Sequence, residues 1–119
     1  MAGLSGRRVL VVEDETLVAM TIEDMLADLG LVVAASVTSV GAAVTAIADH
    51  VIDCAILDIN LDGERVFPVA EVLRTRAIPF VFSTGYGTYG LREDFRDVAV
   101  LTKPYRRPDL ERALLRLWP

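Results

Sequence analysis

Five positions in this chain carry residue types that do chemistry together: the adjacent acids Glu13 and Asp14, a third acid at Asp58, a hydroxyl at Thr84 and the ammonium of Lys103. Lys103 is the one lysine among 12 basic side chains, the rest being arginine. Lysine offers a compact, mobile point charge where arginine offers a planar fork. A site that needs one movable ammonium against a phosphoryl or carboxylate oxygen selects lysine, although chance survival explains a lone lysine equally well when it is taken by itself. Two carboxylates about 4 Å apart repel by roughly 1–4 kcal/mol over the range of effective dielectrics from water to protein surface. Three of them together therefore call for a cation. Oxygen donors without His or Cys point to a hard divalent ion, Mg2+ first. Mg2+ keeps several waters, so Asp14, Asp58 and a main-chain carbonyl suffice as ligands, with Glu13 acting through a water. Such a site suits phosphoryl transfer, which rests on positioning and charge stabilisation. One carboxylate is then the nucleophile. Asp58 is the best placed, because it ends the most apolar segment of the chain. Lys103 and the metal neutralise the incoming phosphoryl oxygens, and Thr84 donates its hydroxyl to one of them.

These residues need elements that bring them to one place. Arg8–Glu13 is a β-branched run ending in acids, as expected of a buried parallel strand. From Glu15 to Leu29 the apolar residues Val18, Ile22, Met25, Leu26 and Leu29 form a helical stripe, stopped by Gly30. Leu31–Val37 reads as a second strand, and Ser39 caps a helix with Val40, Ala43, Val44 and Ile47 on its face. Val51–Leu57 is the third strand and runs into Asp58; Asp62-Gly63 turns the chain. A third helix carries Val66, Val69, Ala70 and Leu73, with Pro68 tolerable only in its first turn. Ile78–Ser83 and Val98–Thr102 are the fourth and fifth strands, and the last helix runs from Arg106 to Trp118. Between them, Gly85–Gly90 holds three glycines in six residues, each costing a helix about 1 kcal/mol. The fourth helix is therefore expected to be weak or disordered, with Leu91–Phe95 giving barely one turn. Strands alternating with helices mean parallel βαβ units with helices on both sheet faces. In such sheets ligands bind beyond the carboxyl ends of the strands, near a switch in strand order. Glu13-Asp14, Asp58, Ser83-Thr84 and Lys103 all stand at those ends. Helix capping accounts for Asp14, Asp58 or Thr84 singly, but not for the whole set with Lys103.

The composition bounds the function classes. With 119 residues and 53% hydrophobic content the chain is one domain, 1–119, with a substantial core. A net charge of −5 argues against a nucleic-acid binder, and Arg7-Arg8 and Arg106-Arg107 are too short to supply a basic face. One cysteine, Cys54, excludes an internal disulfide and a Cys-based zinc cluster; it reads as a buried core thiol. No apolar run is long enough to span a bilayer and no signal peptide is evident, so a cytoplasmic location is expected. His50, at the end of the second helix, suits the dipole there rather than catalysis.

Taken in order along the chain, Glu13-Asp14, Asp58, Thr84 and Lys103-Pro104 resemble the receiver domain of two-component response regulators. The resemblance spans essentially the whole chain and implies a flavodoxin-like (βα)5 fold, a doubly wound parallel sheet with strand order 2-1-3-4-5. It makes Asp58 the phosphoacceptor, Thr84 the switch hydroxyl and Lys103 the phosphoryl-binding ammonium. Asp14, Asp58 and the carbonyl of Asn60 become Mg2+ ligands, with Glu13 assisting. It also implies a cis Lys103-Pro104 bond, a sensor histidine kinase as phosphoryl donor, and no enzyme activity beyond the domain's own phosphorylation and dephosphorylation.

The sequence departs from that family in places. Val100 stands three positions before the lysine, where receivers usually carry an aromatic that swings inward; a valine cannot make that rotameric switch. The loop after Asp58 lacks a proline often found there. Pro79–Gly87 resembles the Phe-Ala-Thr-Gly signature of the so-called FAT GUY receivers, with Ser83 for Ala and Gly87 where a final Tyr would stand. That subgroup implies a single-domain regulator without the aromatic switch and an HWE-type sensor kinase as partner. By analogy Gly85–Gly90 does the switching, passing from loose to ordered when Thr84 engages phosphate. Tyr86 or Tyr89 closing over the site and an ordinary surface role remain open alternatives. The chain ends at Pro119 just after the last helix, which leaves nothing for an output domain. Two competing functions are an aspartyl-phosphate-dependent phosphohydrolase, weakened by Asn60 two positions after the nucleophile, and a receiver-like interaction module that takes no phosphate.

Overall fold

Aliphatic runs without polar alternation bury both faces of a strand, and this chain has them at its centre. The computed structural model describes residues 3–118; positions 1, 2 and 119, and with them the outer bounds of the expected domain, lie outside the described residues. Strand β1 (Arg8–Val12) is followed by helix α1 (Thr16–Asp28), β2 (Val32–Val37), α2 (Val40–Asp49) and β3 (Cys54–Asp58). Then come β4 (Asn60–Leu61), β5 (Glu64–Arg65), α3 (Phe67–Thr75), β6 (Phe80–Thr84), a 3-10 turn (Glu93–Phe95), β7 (Val100–Thr102) and α4 (Arg107–Leu115). The main sheet has the order β2-β1-β3-β6-β7, with every pairing parallel. Counting its long strands in chain order, this is the expected 2-1-3-4-5 flavodoxin-like arrangement.

The sheet separates two cores. On one face Leu10, Val12, Leu57 and Phe82 pack with α2 and α3 through Ile47, Val69 and Leu73. On the other, Val9, Val11, Ile56 and Val81 pack with α1 and α4 through Ile22, Leu26, Leu110 and Leu114. Cys54 is buried in the second core, and burial, with the nearby Asp53 charge, pushes its thiol pKa up to about 12, which keeps it inert. The expected stops are present. Gly30 follows α1 with φ +86, a left-handed value that favours glycine. The Ser39 hydroxyl accepts from the Ala42 amide at the start of α2, and Pro68 lies in the first turn of α3. No described helix is long and apolar enough to cross a membrane.

Strand β3 starts at Cys54 rather than Val51, and β7 at Val100 rather than Val98. Two larger features differ from the sequence reading. The chain after Asp58 folds back as a small antiparallel hairpin, Asn60 pairing Arg65 and Leu61 pairing Glu64, around Asp62 (φ 52) and Gly63 (φ 86). The segment in place of a fourth helix is a run of turns ending in the 3-10 turn, yet it is firmly anchored. Phe95 is buried, stacks on Phe67 at 5.8 Å and meets Phe80 and Phe82 edge-on. Arg74 and Arg92 cover its ring, and each also pairs with an acid, Asp97 and Glu71 respectively.

Candidate functional site

β1 and β3 are neighbours at the point where strand order reverses, so the residues just past their carboxyl ends face a common crevice. β1 delivers Glu13 and Asp14 and β3 delivers Asp58; carboxylate oxygens of all three lie within 4.8 Å of one another. β6 and β7 bring Thr84 and Lys103 to the same rim, where the Lys103 amide donates to the Thr84 carbonyl at 2.7 Å. Asp14, Asp58, Asn60, Thr84 and Lys103 line one cavity of about 430 Å³. A larger groove of about 720 Å³ lies at the other end of the sheet beneath Pro79, Val98 and Trp118. It gathers no comparable set of reactive groups, so the acidic cavity is the candidate site.

The contacts give each side chain a role. Lys103 Nζ donates to Glu13 Oε1 at 2.5 Å and lies 3.4 Å from Asp58 Oδ2. Glu13 is only 1% exposed, and its other oxygen accepts the Glu15 amide at 3.1 Å. It is thus a direct ion-pair partner of the lysine, a contact beyond the water-mediated metal role read from sequence. The Asn60 amide donates to Asp58 Oδ1 at 3.3 Å, which turns the start of the hairpin toward the carboxylate. The Thr84 hydroxyl oxygen accepts the Tyr86 amide at 3.1 Å, leaving its hydrogen free to be donated. Asp14 is half-buried and caps no helix; the residue before α1 is Glu15, whose side chain makes no capping bond. The Lys103-Pro104 bond is cis.

Electrostatics follow from burial and crowding. Burial pushes the Asp58 pKa up from 3.8 to about 7; Lys103 opposes that shift and Glu13 adds to it. Burial alone would lower the Lys103 pKa, but the hydrogen bond to Glu13 and the charges of Asp58 and Glu13 override it, and the net shift is upward. One ammonium against three carboxylates leaves a negative excess held by oxygen donors alone. That donor set fits a small divalent ion: Asp14, Asp58 and the Asn60 carbonyl would hold it, with Glu13 beside them.

Other sequence expectations resolve plainly. Tyr86 and Tyr89 are 70% and 82% exposed, and Tyr86 stands at the edge of the acidic cavity. Val100 packs against the core as a half-buried side chain, and Trp118 is half-buried under the Arg7 guanidinium, 3.7 Å from its ring centre. His50 closes α2. One contact escaped the sequence reading: the Ser83 and Tyr105 hydroxyls meet at 3.1 Å. Ser83 in place of an expected Ala, with Tyr105 next to Pro104, was the available signal.

Comparison with known proteins agrees with this geometry. The family model described as the response regulator receiver domain matches residues 9–115. Among curated proteins, the transcriptional regulatory protein PdtaR of Mycobacterium tuberculosis is 32% identical over 108 residues, 87% of this chain and 53% of PdtaR. The chain thus spans about half the length of the curated relatives it matches. The solution structure of SdrG from Sphingomonas melonis Fr1 is 43% identical, covers 98% of both chains and superposes with a TM-score of 0.86. The BeF3-activated conformation of SdrG, from Pseudomonas melonis Fr1, is 42% identical over 98% of both chains with a TM-score of 0.78. The receiver domain of PhyR from Erythrobacter litoralis is 26% identical, covering 95% of this chain and 90% of that one, with a TM-score of 0.84.

Proposed function

The chain belongs to the response regulator receiver domain family, and from that premise we propose that it is a phosphoacceptor switch whose Asp58 takes a phosphoryl group from a phosphohistidine on a sensor histidine kinase. The observation that carries this reading is the meeting of Glu13, Asp14, Asp58, Thr84 and Lys103 at one rim. An Asp58 carboxylate oxygen attacks the phosphorus, the P–N bond to the donor imidazole breaks, and the imidazole leaves with the bond's electron pair and takes up a proton. Mg2+, which Asp14, Asp58 and the Asn60 carbonyl would hold, would supply charge neutralisation at the phosphoryl oxygens. Lys103, held beside Asp58 by Glu13, contacts a phosphoryl oxygen, and the Thr84 hydroxyl hydrogen is donated to another. The domain catalyses only its own phosphorylation and the slower hydrolysis of the acyl phosphate. An HWE-type kinase as donor, a cytoplasmic location and a protein rather than a nucleic acid as downstream partner belong to the same reading.

The test uses Mg2+ with acetyl phosphate or beryllofluoride. The expected results are a mass gain of one phosphoryl group with the former, and with the latter amide shifts at Asp58, Thr84 and Lys103 and across 85–95. No response in wild type, or the same response in Asp58→Asn, removes the reading. Rapid turnover of small phosphate esters favours the phosphohydrolase instead.

A further inference from the structure

Arg65 is an exposed cation on the hairpin that leaves the phosphoacceptor. It pairs across that hairpin with Asn60, so the two side chains rise from the same face. Its Nη1 donates to the main-chain carbonyl of Gly90 at 3.2 Å. The fit there is close: a Cβ on Gly90 would lie 2.7 Å from Arg65 Nη1, and Gly90 has φ +82. Arg65 is thus the link between the phosphoacceptor hairpin and the glycine loop 85–90, and among the described residues it forms no salt bridge. A space of about 180 Å³ lined by Ile59, Asn60, Arg65, Thr84, Tyr86 and Tyr89 surrounds this link. It shares Asn60, Thr84 and Tyr86 with the cavity above Asp58. A guanidinium therefore stands at the side door of the site, held by a neutral acceptor.

Resting on the phosphoacceptor reading, we propose that Arg65 is a second phosphoryl-contacting cation, parked on Gly90 while Asp58 is unmodified and drawn to the phosphoryl oxygens when Asp58 is modified. Charge-assisted hydrogen bonds are about twice as strong as those to neutral acceptors, and guanidinium is the best match for phosphoryl oxygens. An acyl phosphate carries about two negative charges where the Asp58 carboxylate carried one, a net gain of about one at a rim that already holds an excess of carboxylates over its one ammonium. The hairpin itself need not move: Glu64 Oε1 accepts the Val40 amide at 3.4 Å, tying the other side of the hairpin to the start of α2. The Arg65 side chain swings alone, and in leaving Gly90 it frees the glycine loop, the reverse of the loose-to-ordered change expected from the sequence. The loop release and the phosphoryl contact are one event.

The experiment compares wild type, Arg65→Ala and Arg65→Lys as full chains, with Mg2+ and beryllofluoride as the probe. Titrations give the apparent beryllofluoride affinity; hydrogen exchange reads amides 85–91; NMR of the arginine side chains follows the Arg65 Nε–H. The expected wild-type result is a shifted Arg65 signal and faster exchange at 85–91 on beryllofluoride binding. Arg65→Ala is expected to exchange at the faster rate before the probe is added and to bind it about tenfold more weakly, with Arg65→Lys in between. If wild type binds beryllofluoride but Arg65→Ala binds it equally well, or leaves exchange at 85–91 unchanged, the proposal is overturned while the phosphoacceptor reading stands. If wild type does not bind beryllofluoride at all, both fall.

Discussion

Lys103 earns its solitary place through two contacts that no other cation among the described residues makes. It reaches Glu13 at 2.5 Å and Asp58 at 3.4 Å, so one point charge bridges the carboxylates of two strands. Glu13 is the deeper partner, with a side chain 1% exposed against 19% for Lys103. Removing the ammonium strands a carboxylate away from water. Breaking a fully buried pair costs roughly 3–5 kcal/mol; because Lys103 keeps some contact with water, Lys103→Ala should cost less, about 2 kcal/mol, in urea unfolding. The companion Glu13→Gln, Lys103→Ala double variant should recover part of that loss, since the stranded charge is gone. A loss in Lys103→Ala that Glu13→Gln does not relieve would show that packing of the lysine stem, not the ion pair, carries the effect. The residue types of this site were fully legible in the sequence, because charge, hydroxyl and strand ends together constrain the chemistry. What was not legible was the pairing inside it: only the three-dimensional course of Lys103 past Asp58 shows Glu13 as its direct ion-pair partner.

At the scale of elements, the sheet and its first three helices could be read from β-branched runs, 3.6-residue periodicity and stops such as Ser39, Gly30 and Pro68. The fourth connection could be read only by what it lacks. Three glycines ruled out a helix, but nothing local showed that Phe95, fifteen residues beyond Phe80, would fill the space a helix would cover. Phe95 meets Phe67, Phe80 and Phe82, side chains drawn from α3 and β6, and such contacts at a distance leave no periodic trace. The hairpin Asn60–Arg65 escaped for a related reason: strands of two residues are too short for alternation to be seen, and only the Asp62-Gly63 turn announced it. The energetic consequence is testable. Truncating a buried aromatic costs about 3–5 kcal/mol, so Phe95→Ala should lower stability by about that amount although its segment holds no more regular structure than one 3-10 turn. Arg92→Ala removes the exposed ion pairs to Glu71 and Asp94 and the guanidinium over the Phe95 ring, and should cost clearly less than Phe95→Ala. Equal, small losses in urea unfolding for both variants would mean that the 91–97 segment is not anchored by its aromatic plug.

At the scale of the molecule, Asp58, the proposed phosphoacceptor, sits on the central strand and works against the fold that carries it. β3 lies between β1 and β6, and its last residue holds a carboxylate in a buried, negatively crowded place. The Asp58 pKa rises from 3.8 in an open chain to about 7 in the fold. The folded state therefore binds the Asp58 proton more tightly than the unfolded state, and the slope of stability with pH is negative wherever that difference holds. The contribution is fully present below about pH 4 and is lost as pH rises through about 7. Other acids have their own linkage, such as Asp94, whose pKa is lowered by its hydrogen bond to Arg92. The informative quantity is thus the difference between wild type and Asp58→Asn, which cancels what the two proteins share. With a chelator present, the two should be similarly stable near pH 4, and Asp58→Asn should become progressively the more stable between pH 4 and 7. Saturating Mg2+ should remove that advantage, because an ion that binds only the folded state stabilises it by mass action, about 2.7 kcal/mol at a hundred times its Kd, and it needs the carboxylate ionised. Denaturant midpoints across that pH range, with and without Mg2+, decide the matter. A wild-type to Asp58→Asn difference that stays flat with pH would mean that Asp58 is not proton-stabilised in the fold. A destabilised carboxylate at the tip of β3 is what leaves room for a cation, or a phosphoryl group, to change the stability of the sheet end and so be felt by the loops that rest on it.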